Sequence, residues 1–543
     1  MSDQPHAILT VSAMSAADSF AIEQGVDGRR LMQSAGTGVA RAIMSRWAPR
    51  SAAVLCGPGN NGGDGWVVGE QLRQAGWAVT IYSAVDRQNL TGDAATCAQE
   101  WTGDIHALSD CRLKDHALIV DALFGAGLNR PLEGEPARLS NESQSFDGVC
   151  VAVDVPSGLS GDLAPLDGPC FRADLSVTFH RLKPAHLLSP GRQGCGEVVL
   201  CDIGIPDGWS ERAHPCAMLN HPDLWELPGA DIEADAHKHS RGRLCVLAGG
   251  YGATGASRLA ARAGQIGGAG FVTLLSGQGA LNEIASASDS LVARAYDHDA
   301  DFGEVLADHR ASAAVLGPGA GPDERLKQRV LSACRSQIPL VLDADALSVF
   351  RDEPDRLFEA LHDTCVLAPH GGEFERLFPD LTEKTGDGNK IERTRLAARR
   401  CGAVVVFKGA DTVIAAPGGD VRVNVHASPR LATAGTGDVL AGLIGAFLAQ
   451  GQGVYDAASA AVYCHGDAGR RLGMGGSVET VLSCLPQALE HISGLQGRKA
   501  ALQRLMDDAA RPSYPPGRGP PVQRGPDGRW GRRMSEGTGG RGA

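Results

Sequence analysis

The sequence predicts a two-domain α/β protein, each domain a largely parallel sheet flanked by helices. Three observations carry this reading. At 543 residues the chain exceeds what one hydrophobic core of ordinary size holds. Short apolar runs alternate with helical windows, the pattern of strand–helix–strand units. That alternation also starts twice: at 52–55, 78–82, 117–120 and 149–153, then at 243–247, 271–275, 313–316, 339–342, 365–367 and 404–407. Between the series lies a polar, acidic stretch, from Asn220-His221-Pro222-Asp223 to Asp231-Ile232-Glu233-Ala234-Asp235, which sets expected domains at 1–220 and 221–505. From Tyr514 the composition turns to Pro, Gly and Arg, so 506–543 is expected to be a disordered tail.

Composition narrows the function classes. A net charge of −12 argues against a general nucleic-acid binder, which needs a basic face to neutralise phosphates. Backbone N–H groups can still hold a small phosphorylated ligand. The 14 cysteines include no C-x-x-C pair and no secretory leader precedes them, which points to a reduced cytosol and a cytoplasmic protein. No apolar run approaches the ~18 to 20 residues of a membrane span. Homo-oligomerisation is left open by the sequence.

The first series carries Gly57-Pro58-Gly59-Asn60-Asn61-Gly62-Gly63-Asp64-Gly65 after the apolar run 52–56 and before a helical stretch. Gly57, Gly59 and Gly62 satisfy G-x-G-x-x-G, whose glycines bring N–H groups to an anion at a helix N-terminus. That motif alone is weak, and a ligand-free turn is its bland alternative. Five glycines with Asn60, Asn61 and Asp64 make the turn richer than a pyrophosphate loop requires. Asp121 and Asp154 end two of the strands, and Ser157 follows in Asp154-Val155-Pro156-Ser157-Gly158. In a doubly wound sheet the carboxyl ends of strands line the ligand crevice. Asn61, Asp121 and Ser157 there offer hard oxygen ligands suited to a Group I or II cation. Singly, each is better read as a cap or turn residue.

These segments, with Leu9-Thr10, Met14, Asp18, Leu31-Met32, Ala35-Gly36 and Asp121-Ala122-Leu123-Phe124-Gly125-Ala126-Gly127-Leu128, resemble the NAD(P)H-hydrate epimerase domain over about 8–215. The resemblance implies a Rossmann-like doubly wound sheet that interconverts R and S hydrates of NAD(P)H. It implies hydrate-binding segments Asn60, Asn61, Gly62, Gly63, Asp64 and Gly125, Ala126, Gly127, Leu128, Asn129, Arg130, Pro131, with Asp154 contacting substrate and serving catalysis. It also implies potassium held by Asn61, Asp121 and Ser157. Gln33 departs from the acidic residue common after Leu-Met, a change expected to touch packing more than chemistry.

The second series opens on His237-Lys238-His239-Ser240-Arg241-Gly242, then Gly249-Gly250 and Thr254-Gly255-Ala256. Gly317-Pro318-Gly319-Ala320-Gly321, Asp343-Ala344-Asp345 and Pro369-His370-Gly371-Gly372-Glu373 each stand where a strand finishes. Lys408-Gly409-Ala410-Asp411-Thr412 reads as a hairpin edge that could lie beside an adenine or ribose; an ordinary β-turn is the alternative. Gly435-Thr436-Gly437-Asp438 precedes Val439, Leu440, Leu443, Ile444, Phe447 and Leu448 at helical spacing. The glycines therefore sit at a helix N-terminus that favours an anion.

This series is similar to the ribokinase-like superfamily and, in its motifs, to the bacterial ADP-dependent NAD(P)H-hydrate dehydratases over about 225–495. The resemblance implies a ribokinase-like α/β domain in which Lys408, Gly409, Ala410, Asp411, Thr412 and Gly437 contact the nucleotide. Ala256, Gly319 (with Gly321 as alternative), His370 and Asp438 would contact the hydrate. Gly371 replaces the proline usual after that histidine. ADP is the implied co-substrate and Mg²⁺ the implied phosphate partner. Asp438 is the candidate base, and Gly435, Thr436 and Gly437 form the anion hole for attack on the β-phosphate. A small-molecule kinase of the vitamin type shares the anion hole and base, and a non-catalytic NAD(P) sensor is a third reading. An attached epimerase-like domain weighs against the kinase; a carboxylate in each crevice weighs against the sensor.

Overall fold

The computed structural model describes residues 4–163, 166–229, 241–287, 289–385 and 389–510. Of the expected tail 506–543, residues 511–543 lie outside them, while 506–510 continue the helix Val478–Ala510; also outside are 230–240, which hold the acidic end of the junction and His237-Lys238-His239-Ser240. Its strands are β1 (Ala7–Ile8), β2 (Ser51–Cys56), β3 (Ala78–Ser83), β4 (Ile105–Ala107), β5 (Leu118–Ala122), β6 (Val149–Val153), β7 (Leu175–Phe179), β8 (Glu197–Cys201) and β9 (Ala217–Leu219). The second series adds β10 (Arg243–Leu247), β11 (Phe271–Ser276), β12 (Val292–Ala295), β13 (Ala313–Leu316), β14 (Leu340–Leu342), β15 (Cys365–Leu367), β16 (Val404–Phe407), β17 (Thr412–Ala415) and β18 (Val421–Asn424).

The first sheet has the order β4-β3-β2-β5-β6-β7-β8, and all its pairs are parallel. Its central strands are apolar throughout because helices cover both faces: β5, β6 and β7 are buried along nearly their whole length. Chain direction along the sheet reverses between β2 and β5. A crevice opens at such a switch point, outside the carboxyl ends of the strands.

The second sheet has the order β1-β9-β18-β17-β16-β15-β14-β13-β10-β11-β12. From β16 to β12 all pairs are parallel; β17 and β18 append an antiparallel hairpin. Here the reversal falls between β10 and β13. Helix Thr436–Ala449 is buried on almost every side, not only on the face its periodicity marks. It crosses helix Gly255–Ile266 so closely that a Cβ on Gly442 would lie 2.0 Å from the Ala260 carbonyl oxygen.

Two strands from ahead of the acidic junction belong to this second sheet. β1 pairs antiparallel with β9, and β9 pairs parallel with β18. Asn220 seals the joint: its buried Nδ2 donates to Ser459 O at 2.8 Å, and Trp225 Nε1 donates to its Oδ1 at 2.9 Å. The described residues up to 492 thus form one compact unit holding both sheets, and those from 493 to 510 belong to a second. All 14 cysteines are free thiols. Among the described residues no helix is long and apolar enough to cross a membrane.

Candidate active sites

At the first switch point, Asn60, Asn61, Asp64, residues 125–130 and Asp154 line one cleft of about 580 Å³. Helix Asn60–Gln74 starts from Gly59 directly after β2, which aims its unpaired N–H groups into the cleft. Gly62, Gly63 and Pro131 do not line it. A Cβ on Gly62 would lie 1.9 Å from Gly57 O, and one on Gly63 2.5 Å from Met32 Sδ. Close packing of turn and helix accounts for both glycines. Pro131 packs beside Gly168 at the surface.

Asp154 follows β6 in the left-handed region, with φ of 66°. Such strain concentrates at functional sites. Its Oδ1 accepts from Lys183 Nζ at 2.7 Å and Thr178 Oγ1 at 2.8 Å, and its Oδ2 accepts from Ala126 N at 3.1 Å. Burial works to raise its pKa, but the charge of Lys183, that of His186 once it is protonated in acid, and the bonds from Lys183 and Thr178 bring it down to about 2. Asp154 is therefore a locked carboxylate. His186 is neutral, pushed to about 4 chiefly by burial; Nδ1 accepts from Lys183 N at 3.0 Å, which leaves Nε2 to donate to Asp154 O at 2.9 Å. Two more carboxyls face the same cleft with the opposite tendency. Burial raises Asp18 to about 6, and burial with the charges of Asp154 and Asp18 raises Asp64 well above the usual range. One crevice thus contains an ionised acid and two acids inclined to hold a proton, the arrangement that separates acid from base roles.

Asp121 and Ser157 meet directly behind the cleft. Ser157 donates from N at 2.7 Å and from Oγ at 2.6 Å to the two Asp121 oxygens, and Phe124 N donates to Ser157 Oγ at 2.9 Å. Asn61 lies beside Gly125, its Oδ1 3.0 Å from where a Gly125 Cβ would be and its Nδ2 buried without a hydrogen-bond partner among the described residues. Burial lifts the Asp121 carboxyl to about 6 against three hydrogen bonds that lower it, and no cation is among the groups that shift it. A fully buried carboxylate with oxygen neighbours and no cationic partner fits a weakly hydrated cation such as potassium.

The second crevice lies at the carboxyl ends of β10, β13, β14, β15 and β16. Lys408, Gly409, Ala410, Thr412, Gly437 and His370 line a pocket of about 970 Å³. Asp411 does not line it; its carboxylate accepts from Lys390 Nζ at 2.8 Å and from Ser189 N at 2.9 Å. Gly435 has φ of 92° and opens helix Thr436–Ala449, so the first-turn N–H groups point at the pocket. A Cβ on Gly437 would lie 3.5 Å from Lys408 Nζ and 3.8 Å from Asp343 Oδ2. Ala256 and Gly319 adjoin, since a Gly319 Cβ would sit 3.3 Å from that of Ala256. Gly321 N donates to Asp345 Oδ2 at 2.9 Å. His370 caps helix Gly371–Leu377 with Glu373, so the Gly371 replacement leaves the turn intact.

Around Asp438 negative charge is in excess. Lys408 pairs with Asp343 at 2.5 Å, while burial and the charges of Asp343 and Asp345 raise Asp438 to about 6 despite Lys408. Ala344, between the two acids, has φ of 49°. A divalent cation with phosphate oxygens suits this imbalance, because Mg²⁺ is usually held by one or two carboxylates plus phosphate and water.

Comparison with known proteins finds two families matching separate parts of the chain. Residues 28–185 match a family model described as YjeF-related protein N-terminus, and residues 244–492 match one described as NAD(P)H-hydrate dehydratase. The bifunctional NAD(P)H-hydrate repair enzyme Nnr of Moorella thermoacetica is 34% identical over 463 residues, 81% of this chain and 87% of that one. The chain belongs to the bifunctional NAD(P)H-hydrate repair enzyme family. Relatives of the same description in Thermofilum pendens and Escherichia coli are each 32% identical, over 89% and 81% of this chain and 96% and 84% of theirs. An ADP/ATP-dependent NAD(P)H-hydrate dehydratase from Bacillus subtilis, co-crystallised with ATP and Mg²⁺, is 25% identical with a TM-score of 0.44, over 50% of this chain and 96% of that one.

Sequence reasoning missed several residues that the repair-enzyme fold brings to these sites. Lys183, Thr178 and His186 join Asp154 from 24 to 32 positions away, and no motif spacing marks them. Asp343 and Asp345 were visible as strand-end acids but carry no expected role. His465 lines the second pocket, held neutral near 4 mainly by burial, with Nε2 buried and without a hydrogen-bond partner among the described residues.

Proposed function

We propose that the first crevice interconverts the R and S hydrates of NADH and NADPH, and that the second dehydrates the S form as ADP is split into AMP and phosphate. The observation that carries this reading is the pairing, in one compact unit, of a carboxylate-rich crevice that holds Asp154 ionised with a glycine-capped helix N-terminus that carries Asp438 in its first turn.

Epimerisation breaks and re-forms the C–O bond at the hydrated ring carbon. The departing hydroxyl takes a proton and leaves as water, with the ring nitrogen lone pair compensating the carbon, so the ring becomes cationic. Water then adds to the other face and returns the proton. Asp154, fixed as an anion, faces that cation, and Asp18 and Asp64, with raised pKa values, hold and take back the proton. Asn61, Asp121 and Ser157 would hold potassium, which supplies charge that fixes the Asp121 carboxylate and the loop after β5.

In dehydration, Asp438 takes the proton of the ring hydroxyl and the oxygen attacks the β-phosphorus of ADP. AMP leaves. The C–O bond to the new phosphate then breaks, and a proton lost from the neighbouring ring carbon restores the dihydropyridine double bond. A base near pKa 6 suits this work at neutral pH. First-turn N–H groups at Gly435, Thr436 and Gly437 stabilise the charge on the attacked phosphate. Mg²⁺, held through Asp345 and the phosphates, would neutralise nucleotide charge.

Incubation with mixed R and S hydrate, followed by NADH absorbance, tests the whole reading. Without ADP the hydrates should equilibrate and no NADH should appear; with ADP nearly all hydrate should be recovered. Recovery that stops at the S fraction, or that proceeds without nucleotide, contradicts it.

A further inference from the structure

The wall of the nucleotide pocket is not built from the dehydratase part alone. Arg192 and Gln193, on the short helix Gly191–Cys195 of the first domain, line it together with Lys408, Gly409 and Ala410. Arg192 reaches across the domain boundary: Nη1 donates to Ala410 O at 3.1 Å and Nη2 to Val425 O at 3.5 Å. From the other side Asp411 accepts from Ser189 N at 2.9 Å. Two successive residues of the expected nucleotide loop, Ala410 and Asp411, are therefore held by residues 189–192, and Lys390 also pairs with Asp411.

The electrostatics of Arg192 differ from those of the other cations here. Lys408 is neutralised by Asp343 and Lys390 by Asp411. Among the described residues Arg192 has no carboxylate partner; its recorded partners are two carbonyls, and its side chain is only half-buried. A guanidinium with N–H groups to spare, in the wall of a pocket that takes a polyanion, is suited to charge-assisted bonds with phosphate or ribose oxygens.

We propose that Arg192 is a positioning residue for the adenosine diphosphate of the second site, supplied by the first domain: it fixes loop 409–411 through Ala410 and offers its remaining donors to the nucleotide. This rests on the nucleotide reading above. It also gives the fused chain a physical purpose, because the pocket is complete only when residues 189–193 are docked.

The test uses the full chain and two variants: Arg192→Met, which keeps the apolar stem and drops the charge, and Arg192→Lys, which keeps the charge without the planar fork. ADP binding is read by calorimetry, and dehydration of pure S-hydrate is read as KM for ADP against kcat. Arg192→Met should weaken ADP binding and raise KM for ADP by about tenfold or more, with a smaller change in kcat. Arg192→Lys should recover part of the loss. The nucleotide-free melting temperature and epimerisation report whether the chain stays folded. Should Arg192→Met lose those too, Arg192→Lys decides: a normal melt with a raised KM for ADP supports the inference, and a normal melt with a wild-type KM overturns it. Wild-type affinity and KM in folded Arg192→Met overturn this inference alone. A wild-type chain that binds no ADP overturns the nucleotide reading as well.

Discussion

Lys183 decides what Asp154 can do. Burial is the largest single influence on that carboxyl and would raise its pKa; the ammonium 2.7 Å away, through its charge and its hydrogen bond, leads the groups that together outweigh it. Lys183→Met should therefore let Asp154 rise from about 2 towards or beyond the ordinary range. Epimerisation should fall by roughly 10²-fold or more, and the acid limb of its pH profile should move to higher pH. A depressed carboxylate stabilises the fold above its unfolded pKa and loses that contribution as pH falls through about 2, so the variant should also be less stable at neutral pH. An unchanged pH profile would contradict the pairing. Asp121 has the reverse sign. With its pKa raised to about 6 the folded state binds the extra proton, so stability falls as pH rises from about 4 through 6. Potassium at that carboxylate offsets the loss only where it is ionised. The melting temperature should rise with potassium over tetramethylammonium at pH 8, lose that increment at pH 5, and show none in Asp121→Asn. An increment that persists in Asp121→Asn would place the cation elsewhere. At this scale the sequence discloses residues that stand beside glycines at strand ends, Asp154 and Asp438 above all. Lys183 escapes it, and Asp18 figures only in the resemblance without a role, because what each does exists only once distant segments meet.

Among the elements, most strands buried on both faces are legible and the edge strands are not; β7, buried at every position, is the exception, since the reading of the first series stops at 149–153. Runs at 149–153, 243–247, 313–316, 365–367 and 404–407 coincide with β6, β10, β13, β15 and β16, since apolar β-branched residues there have both faces to cover. β4 is exposed along its length and β1 has two residues, so neither carries a hydrophobic pattern to read. Helix Thr436–Ala449 shows a further limit. Its apolar spacing is visible, but the closeness of its neighbour is marked only by single glycines, Gly442 on this helix and Gly267 at the end of the other. Gly442→Ala would press a methyl onto the Ala260 carbonyl and should cost about 1–3 kcal/mol of stability, read from the denaturant midpoint, with dehydration reduced because the same helix carries Asp438. A variant with wild-type midpoint would show that the helices part at little cost.

For the whole molecule, the two sheets were expected as separable domains meeting near residue 220. β1 and β9 lie on the first side of that point in sequence and on the second sheet in space, and a cut there parts β9 from β18. Pattern reading places strands along the chain without saying which sheet each joins, so the shared edge was beyond its reach. The grip of residues 189–192 on loop 409–411 is a second tie of the same kind. Two chemistries in one unit still predict that each can be silenced alone. Asp154→Asn and Asp438→Asn preserve shape and the neighbouring N–H donors, yet each removes one carboxylate. The most direct measurement follows both reactions on both variants, with separated R and S hydrates and ADP. Asp154→Asn should stop epimerisation and still dehydrate pure S-hydrate; Asp438→Asn should equilibrate the hydrates, bind ADP and produce no NADH, with losses of about 10² to 10⁴ in the affected rate. If either variant, still folded, loses both reactions, the division of labour between the two crevices is wrong.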